Sequence, residues 1–201
     1  MLKKFFQREL TEAGCDEAGR GCLAGPVFAA AVMLPKKINR AWKKLDDSKK
    51  LSDKERREFR VIIEYEATAW GVSSCSHEEI DSINILQASF LSMSRAVEQL
   101  SMQPQLLLVD GNRFRTNLQI PFRCIVKGDA KYMSIAAASI LAKTYRDDFM
   151  LDLHEKFPHY GWKQNKGYAT ESHRRAILEF GFSELHRKSF HIREEQLLLE
   201  F

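Results

Sequence analysis

Four acidic residues, in three separate stretches, carry the chemistry open to this sequence. Asp16 and Glu17 are adjacent and run into Gly19-Arg20-Gly21, ahead of an apolar run from Pro26 to Leu34. Asp110 closes the apolar run Leu106-Leu107-Leu108-Val109, and Asp129 closes the stretch that starts at Phe122. An ionised carboxylate beside core packing must be paired or bind a cation. Neighbouring strands lie about 4.8 Å apart, so acids at their ends can converge on one ion. Two carboxylates about 4 Å apart repel by roughly 4 kcal/mol at an effective dielectric near 20. Four of them strain an empty site, and some take up protons. Divalent cations relieve that conflict, and all-oxygen ligation selects Mg²⁺ or Mn²⁺ over zinc. Two such ions about 4 Å apart can activate water and stabilise the leaving oxygen of a phosphodiester. Metal-assisted phosphodiester hydrolysis is the chemistry expected. Taken alone, Asp16-Glu17 also reads as a surface turn between strands.

Groups suited to a polyanion stand beside those acids. Glycines flanking Arg20 let the backbone approach a ligand closely, and a guanidinium offers planar paired donors to phosphate. Between Lys36 and Arg60 eleven basic residues, Lys49 and Lys50 among them, face five acidic ones. A basic flank beside an acidic centre fits an enzyme that processes nucleic acid. A solvated helix face gives the same pattern. The loop from Gly161 to His173 is dense in Lys, Trp and Tyr, which suits stacking and phosphate contacts. Lys143 and Arg146 are placed to meet phosphate or water. His173 and His186 read as caps or partners of local backbone, with a proton relay as the alternative.

The elements that position these side chains follow from periodicity and punctuation. Glu12–Asp16 and Pro26–Leu34 read as neighbouring strands. Consecutive strand residues face opposite sides. Asp16 and Glu17 therefore share a site only if the strand ends there or Glu17 sits on bent backbone. Ser52 with Glu55 is a capping box opening a helix whose apolar face holds Phe59, Ile62, Ile63 and Tyr65. Ala67–Ser74 reads as a third strand and Ile83–Leu100 as a long helix, stopped before Pro104. Leu106–Asp110 and Phe122–Asp129 each deliver an acid at a strand's end. Tyr132 to about Glu155 is a long helix whose alanines permit close packing on the sheet. Thr170 opens a last helix that Gly181 ends. Three early strands imply an antiparallel start to a mixed sheet in an α/β protein.

At 201 residues, 44% hydrophobic and 29% charged, with a net charge of +4, the chain has the composition of an ordinary soluble protein. One domain over 1–201 is expected: a core of sheet and helices to about 156, then a helical C-terminal part, about 157–201, contributing to substrate binding. The four cysteines have no zinc spacing and fit a reducing compartment. The start of the chain lacks a sustained apolar stretch, so cytoplasmic location and no membrane partner are expected. A monomer is expected too.

Several motifs together resemble bacterial ribonuclease HII. They are Cys15-Asp16-Glu17-Ala18-Gly19-Arg20-Gly21, Asp47-Ser48-Lys49-Lys50-Leu51, Val109-Asp110-Gly111-Asn112, Lys127-Gly128-Asp129, the Ala-Ala-Ala-Ser-Ile-Leu-Ala-Lys helix, Gly167-Tyr168 and His186-Arg187-Lys188-Ser189-Phe190. The resemblance spans nearly the whole chain in order. It implies a ribonuclease H-like fold, a five-stranded mixed sheet flanked by helices with a helical C-terminal extension. It implies cutting of the RNA strand in RNA/DNA hybrids, and cutting 5′ of ribonucleotides embedded in DNA, leaving 3′-hydroxyl and 5′-phosphate ends. By motif, Asp16, Glu17, Asp110 and Asp129 would be the catalytic acids and the ligands of Mn²⁺ or Mg²⁺, two ions at catalysis. Gly19, Arg20 and Gly21 would read the ribose 2′-hydroxyl, and Tyr168 would stack at the RNA-to-DNA junction. Lys49 and Lys50 join the substrate-binding set. Cys22 and Ala169 depart from the family's usual residues without removing a ligand, and Gly-Arg-Gly departs from the Gly-Lys-Gly of ribonuclease HIII.

The final residues resemble the short motif that bacterial proteins insert into the sliding clamp, with Gln196, Leu197, Leu199 and Phe201 as contacts. An ordinary amphipathic tail reads alike. Two further readings remain: a non-catalytic hybrid-binding protein, and a junction resolvase or transposase of the same fold that cuts all-DNA substrates.

Overall fold

The computed structural model describes residues 2–45 and 51–190. Five strands form one sheet: β1 (Glu12–Ala18), β2 (Val27–Met33), β3 (Ala69–Cys75), β4 (Leu106–Asp110) and β5 (Phe122–Ile125), in the order β3-β2-β1-β4-β5. β1, β2 and β3 pair antiparallel, whereas β1–β4 and β4–β5 pair parallel. The expected mixed sheet is present, with its antiparallel part first. Helix α1 spans Asp53–Glu66, α2 His77–Glu98 and α3 Met133–Lys156; the short α4 (Trp162–Asn165) and α5 (Glu171–Phe180) follow.

Strand alternation divides the core between two faces. Ala13, Cys15, Ala29, Ala31, Leu107 and Val109 pack with Phe90, Met93, Ala96 and Val97 of α2. Ala30 and Val32 pack on the other side with Ile63 of α1 and Ala136, Ala137, Ile140 and Leu141 of α3. The small residues of α3 bring its backbone down onto β1. A Cβ at Gly14 would lie 2.2 Å from the Ser134 carbonyl carbon, so only glycine fits beneath that helix.

Local signals set most boundaries. Ser52 caps α1 with Glu55 in a reciprocal capping box, and Ile63, Phe59 and Ile62 turn inward. Tyr65 does not: it is 89% exposed, two residues past Ile63 and so about 200° round the helix from it. Helix α2 starts six residues before the expected Ile83, because Ser76 and Glu79 form a second capping box. Asn84 then leaves helical geometry (φ 65°, ψ 161°), and its Oδ1 accepts from the amides of Leu86 and Gln87, restarting the helix. A residue that both breaks and caps hides the join from periodicity. Thr170 caps α5, and Gly181 ends it with φ 77°. Among the described residues no helix is long and apolar enough to cross a membrane.

Candidate active site

The site forms where the central pair of strands parts. Asp16 pairs with Ala30 and Glu17 with Ala29 in the ladder to β2. On the opposite edge the β1–β4 ladder reaches only Cys15 and Val109. Asp16 and Asp110 therefore stand one residue beyond the last pair, at the carboxyl ends of two parallel neighbours, where open sheets bind ligands. β1 does not end at Asp16; it runs on to Ala18, opposite Phe28. Asp16 faces α3, as Gly14 does, and is hydrogen-bonded by Ser139 of that helix. Glu17 takes the other side of the strand. Both still reach one cavity, because β4 has already left the edge between them.

That cavity has a volume of about 310 Å³. Asp16, Glu17, Asp110 and Ser139 line its floor; Gly19, Arg20 and Gly21 line one side; Arg56, Lys143 and Tyr168 complete the wall. Asp16 is 5% exposed and its Oδ1 accepts from the Glu17 amide at 2.7 Å. Asp110 Oδ1 accepts from the Gly128 amide at 2.6 Å. Asp129 follows Gly128 directly, is 3% exposed, and accepts from its own neighbour, Ala130, at 3.0 Å. It is not part of the cavity lining.

The carboxylates feel one another. Burial first, then the charges of Glu17 and Asp110, hold Asp16 well above the usual carboxylate range, against the hydrogen bonds from Ser139 and the Glu17 amide. Burial also raises Glu17, opposed by Arg20, whose guanidinium lies 3.0 Å from Glu17 Oε1. Among the described residues no group of three or more His, Cys, Asp or Glu side chains could hold a metal ion as it stands. The donor set is nonetheless of the right kind. Asp16, Glu17 and Asp110 offer oxygen only, and Asp16 bears both burial and the charges of its two neighbours, which favours a hard divalent cation.

Other expected site residues are distributed as follows. Tyr168, 40% exposed, stands on the cavity wall with Lys143 Nζ 5.7 Å from its ring centroid, and its strand-like bridge to Cys22 ties it to the Gly-Arg-Gly loop. Lys143 reaches the cavity while bonded to Asp147 at 2.7 Å. Arg146 meets neither phosphate nor water. It is fully buried, and its guanidinium donates to the carbonyls of Pro26, Lys166 and Ala24. Its place one turn beyond Lys143, on the side where α3 meets the loop, accounts for the difference. The basic flank is partly internal as well: Arg57 and Arg60 both pair with Asp148 of α3, at 2.8 and 2.6 Å, leaving Arg56 to reach the cavity. Lys49, Lys50, Gln196, Leu197, Leu199 and Phe201 lie outside the described residues.

Sequence reasoning missed three contributors. Ser139 sits in the run Ala-Ala-Ala-Ser-Ile-Leu-Ala-Lys, which reads as packing and as a family motif but not as a partner for Asp16. Arg56 is one arginine among many. Arg187 is fully buried and donates to the carbonyls of Gly25, Arg20 and Gly19, a role that the motif containing it, His186-Arg187-Lys188-Ser189-Phe190, does not disclose. His173 bonds backbone as expected, through the Tyr168 carbonyl, but it also faces His186.

Comparison with known proteins agrees with this architecture. The family model described as Ribonuclease HII matches residues 13–193. The chain is 57% identical to Ribonuclease HII of Bacteroides thetaiotaomicron, with 100% of both chains covered. Among solved structures, ribonuclease H2 from Pyrococcus horikoshii shares the fold, with a TM-score of 0.75 at 24% identity over 90% of this chain and 94% of that one. The ribonuclease HII of a PCNA complex from Archaeoglobus fulgidus superposes with a TM-score of 0.72 at 28% identity, over 92% of this chain and 96% of that one. A match over nearly the full length, on a sheet whose parting strands carry Asp16 and Asp110, means that the chain belongs to the ribonuclease HII family.

Proposed function

We propose that the chain hydrolyses the RNA strand of RNA/DNA hybrids and cuts 5′ of ribonucleotides embedded in duplex DNA, with Asp16, Glu17, Asp110 and Asp129 holding Mn²⁺ or Mg²⁺. One observation carries this reading. Asp16 and Glu17, both raised by burial and by the charge of Asp110, open with Asp110 and the Gly19-Arg20-Gly21 loop onto the same cavity. When bound, two divalent ions supply activation of water and charge stabilisation at the leaving oxygen.

The chain's own side chains do the rest. Ser139 and the Glu17 amide fix the Asp16 carboxylate, and the Gly128 amide fixes Asp110. Arg20, half-exposed at the rim, meets the phosphate flanking the ribonucleotide. Close approach at Gly21 lets the backbone test for a 2′-hydroxyl, the handle that separates RNA from DNA. Tyr168 presents its ring to the base pair at the junction. A pure hybrid binder gains nothing from burying carboxylates beside a phosphate path, and a resolvase has no use for a ribose-reading loop.

The test is a duplex containing one ribonucleotide, incubated with the chain in the presence and absence of Mn²⁺ or Mg²⁺. Metal-dependent cutting 5′ of the ribonucleotide, leaving 3′-hydroxyl and 5′-phosphate, is expected. Cutting of an all-DNA duplex, or none with metal present, overturns the reading. Sliding-clamp binding through Gln196, Leu197, Leu199 and Phe201 is a separate proposal, supported by the archaeal relative's complex with PCNA. Clamp capture that survives deletion of residues 196–201 removes it.

A further inference from the structure

Two guanidiniums lie beneath the Gly19–Pro26 loop. Arg146 and Arg187 are 0% and 1% exposed, and among the described residues neither forms an ion pair. A buried charge without a counterion is costly unless every donor is satisfied. Here backbone carbonyls satisfy them. Arg187 takes Gly25, Arg20 and Gly19 at 2.9, 2.8 and 2.7 Å. Arg146 takes Pro26, Lys166 and Ala24 at 3.0, 2.7 and 3.2 Å. The two side chains come from distant parts of the chain and converge on one loop.

This arrangement turns the loop's carbonyls inward. The turn over residues 19–22, closed by the Cys22 amide donating to the Gly19 carbonyl at 3.4 Å, leaves the Arg20 and Gly21 amides with no backbone acceptor among the described residues. The two glycines of the triplet then have different reasons to be glycine. Gly19 has φ 93°, and a Cβ there would lie 2.0 Å from Arg146 Nε, so it is small because the guanidinium passes under it. Gly21 has nothing within 4 Å of its Cβ position and is open to the cavity it lines. Burial draws Arg187 down to about 10, so it remains cationic at neutral pH.

We propose that Arg146 and Arg187 are positioning residues for ribonucleotide recognition: they hold the Arg20 and Gly21 amides toward the substrate and place uncompensated positive charge behind them, for which a substrate phosphate is the missing counterion. This rests on the ribonucleotide-directed activity proposed above and assigns the residues that shape its specificity. Lysine in either position keeps the charge but lacks the planar fork that grips three carbonyls at once.

The test is equilibrium binding by fluorescence anisotropy, in EDTA so that nothing is cut, to a duplex with one ribonucleotide and to its all-DNA counterpart. Arg146→Lys, Arg187→Lys and the unmodified chain are compared after circular dichroism confirms folding. Each lysine variant loses about tenfold in preference for the ribonucleotide duplex, the size of one well-placed hydrogen bond, while all-DNA affinity stays within about twofold. A merely structural role weakens both duplexes alike. Folded variants that keep the full preference overturn the proposal, and so does equal loss on both duplexes.

Should both variants fail to fold, the unmodified chain still decides. The Arg20 and Gly21 amide resonances shift with the ribonucleotide duplex and not with the DNA duplex; amides indifferent to the ribonucleotide overturn the proposal. An unmodified chain that prefers the ribonucleotide duplex but does not cut it with Mn²⁺ sinks the proposed activity alone.

Discussion

The Nε2 atoms of His173 and His186 lie 3.2 Å apart, in a compartment where both rings are closed to solvent. The other nitrogen of each ring is committed. His186 Nδ1 accepts from the Ser183 amide at 2.9 Å, and His173 Nδ1 donates to the Tyr168 carbonyl at 2.9 Å. His186 must then carry its proton on Nε2 and donate it to His173, whose Nε2 also accepts from Trp162 Nε1 at 3.0 Å. Two neutral rings thus join Ser183 to the backbone of a cavity residue, and neither can take a second proton without breaking a bond.

The first prediction follows from that chain of bonds. Burial lowers His173, and burial with the neighbouring His173 takes His186 down to about 4. Both folded values lie below the ordinary 6.5. The stability these rings carry is complete above about pH 6.5 and is lost as pH falls toward 4. Thermal melts across that window should show the midpoint falling in the unmodified chain and falling less in His186→Asn. Parallel curves for the two proteins count against the neutral pair.

Asp16→Asn should abolish cleavage and raise the melting temperature of the metal-free chain at neutral pH. A carboxylate with a raised folded value favours folding when protonated, and that contribution is lost as pH rises through the raised value. The amide removes the loss, so the gain is largest at neutral pH and disappears below about pH 4. Each unit of raised pKa corresponds to about 1.4 kcal/mol, and each kcal/mol to about 2–4 °C in a chain of this length. Calorimetry in EDTA checks it; a lowered midpoint at pH 7 contradicts the crowding of Asp16, Glu17 and Asp110.

Gly14 and Gly21 separate packing from access. Gly14→Ala drives a methyl into the Ser134 backbone at 2.2 Å and should cost about 2 kcal/mol or more. Gly21→Ala meets nothing within 4 Å and should shift stability by less than about 1 kcal/mol, while raising KM for a single-ribonucleotide duplex. Chemical denaturation and steady-state kinetics read the two effects separately.

Arg20→Ala should raise KM about tenfold, as loss of one charge-assisted contact implies, and leave the metal concentration for half-maximal rate within about twofold. Arg20 also opposes the upward shift of Glu17, so its loss moves the rising limb of the pH–rate profile to higher pH. Equal losses in metal and substrate affinity count against its role at the phosphate.

Much of this was legible in sequence because the signals were local. The capping box at Ser52, the apolar runs of β2 and β4 and the small-residue face of α3 are each written within a few neighbouring residues. Asp110 stands out where the apolar run of β4 stops, and Asp16 and Glu17 stand out as adjacent acids running into Gly-Arg-Gly. What stayed hidden depended on partners far away. Arg146 reads as a cation for phosphate until its acceptors, more than a hundred residues back at Ala24 and Pro26, are known. The two-sided reach of Asp16 and Glu17 could not be settled from alternation alone, since it depends on where β4 leaves β1. Asn84 escaped because periodicity runs smoothly across it.

The parallel pairing of β1 with β4 also sets an order of events. β1 and β2 are joined by a short connection, whereas Cys15 and Val109 meet across roughly half the chain, and closing that separation is the slower step. Asp16 and Glu17 are in place with the early pair; Asp110 arrives only when the distant strand docks. Until that strand docks, the acids proposed to share the metal ions stand apart.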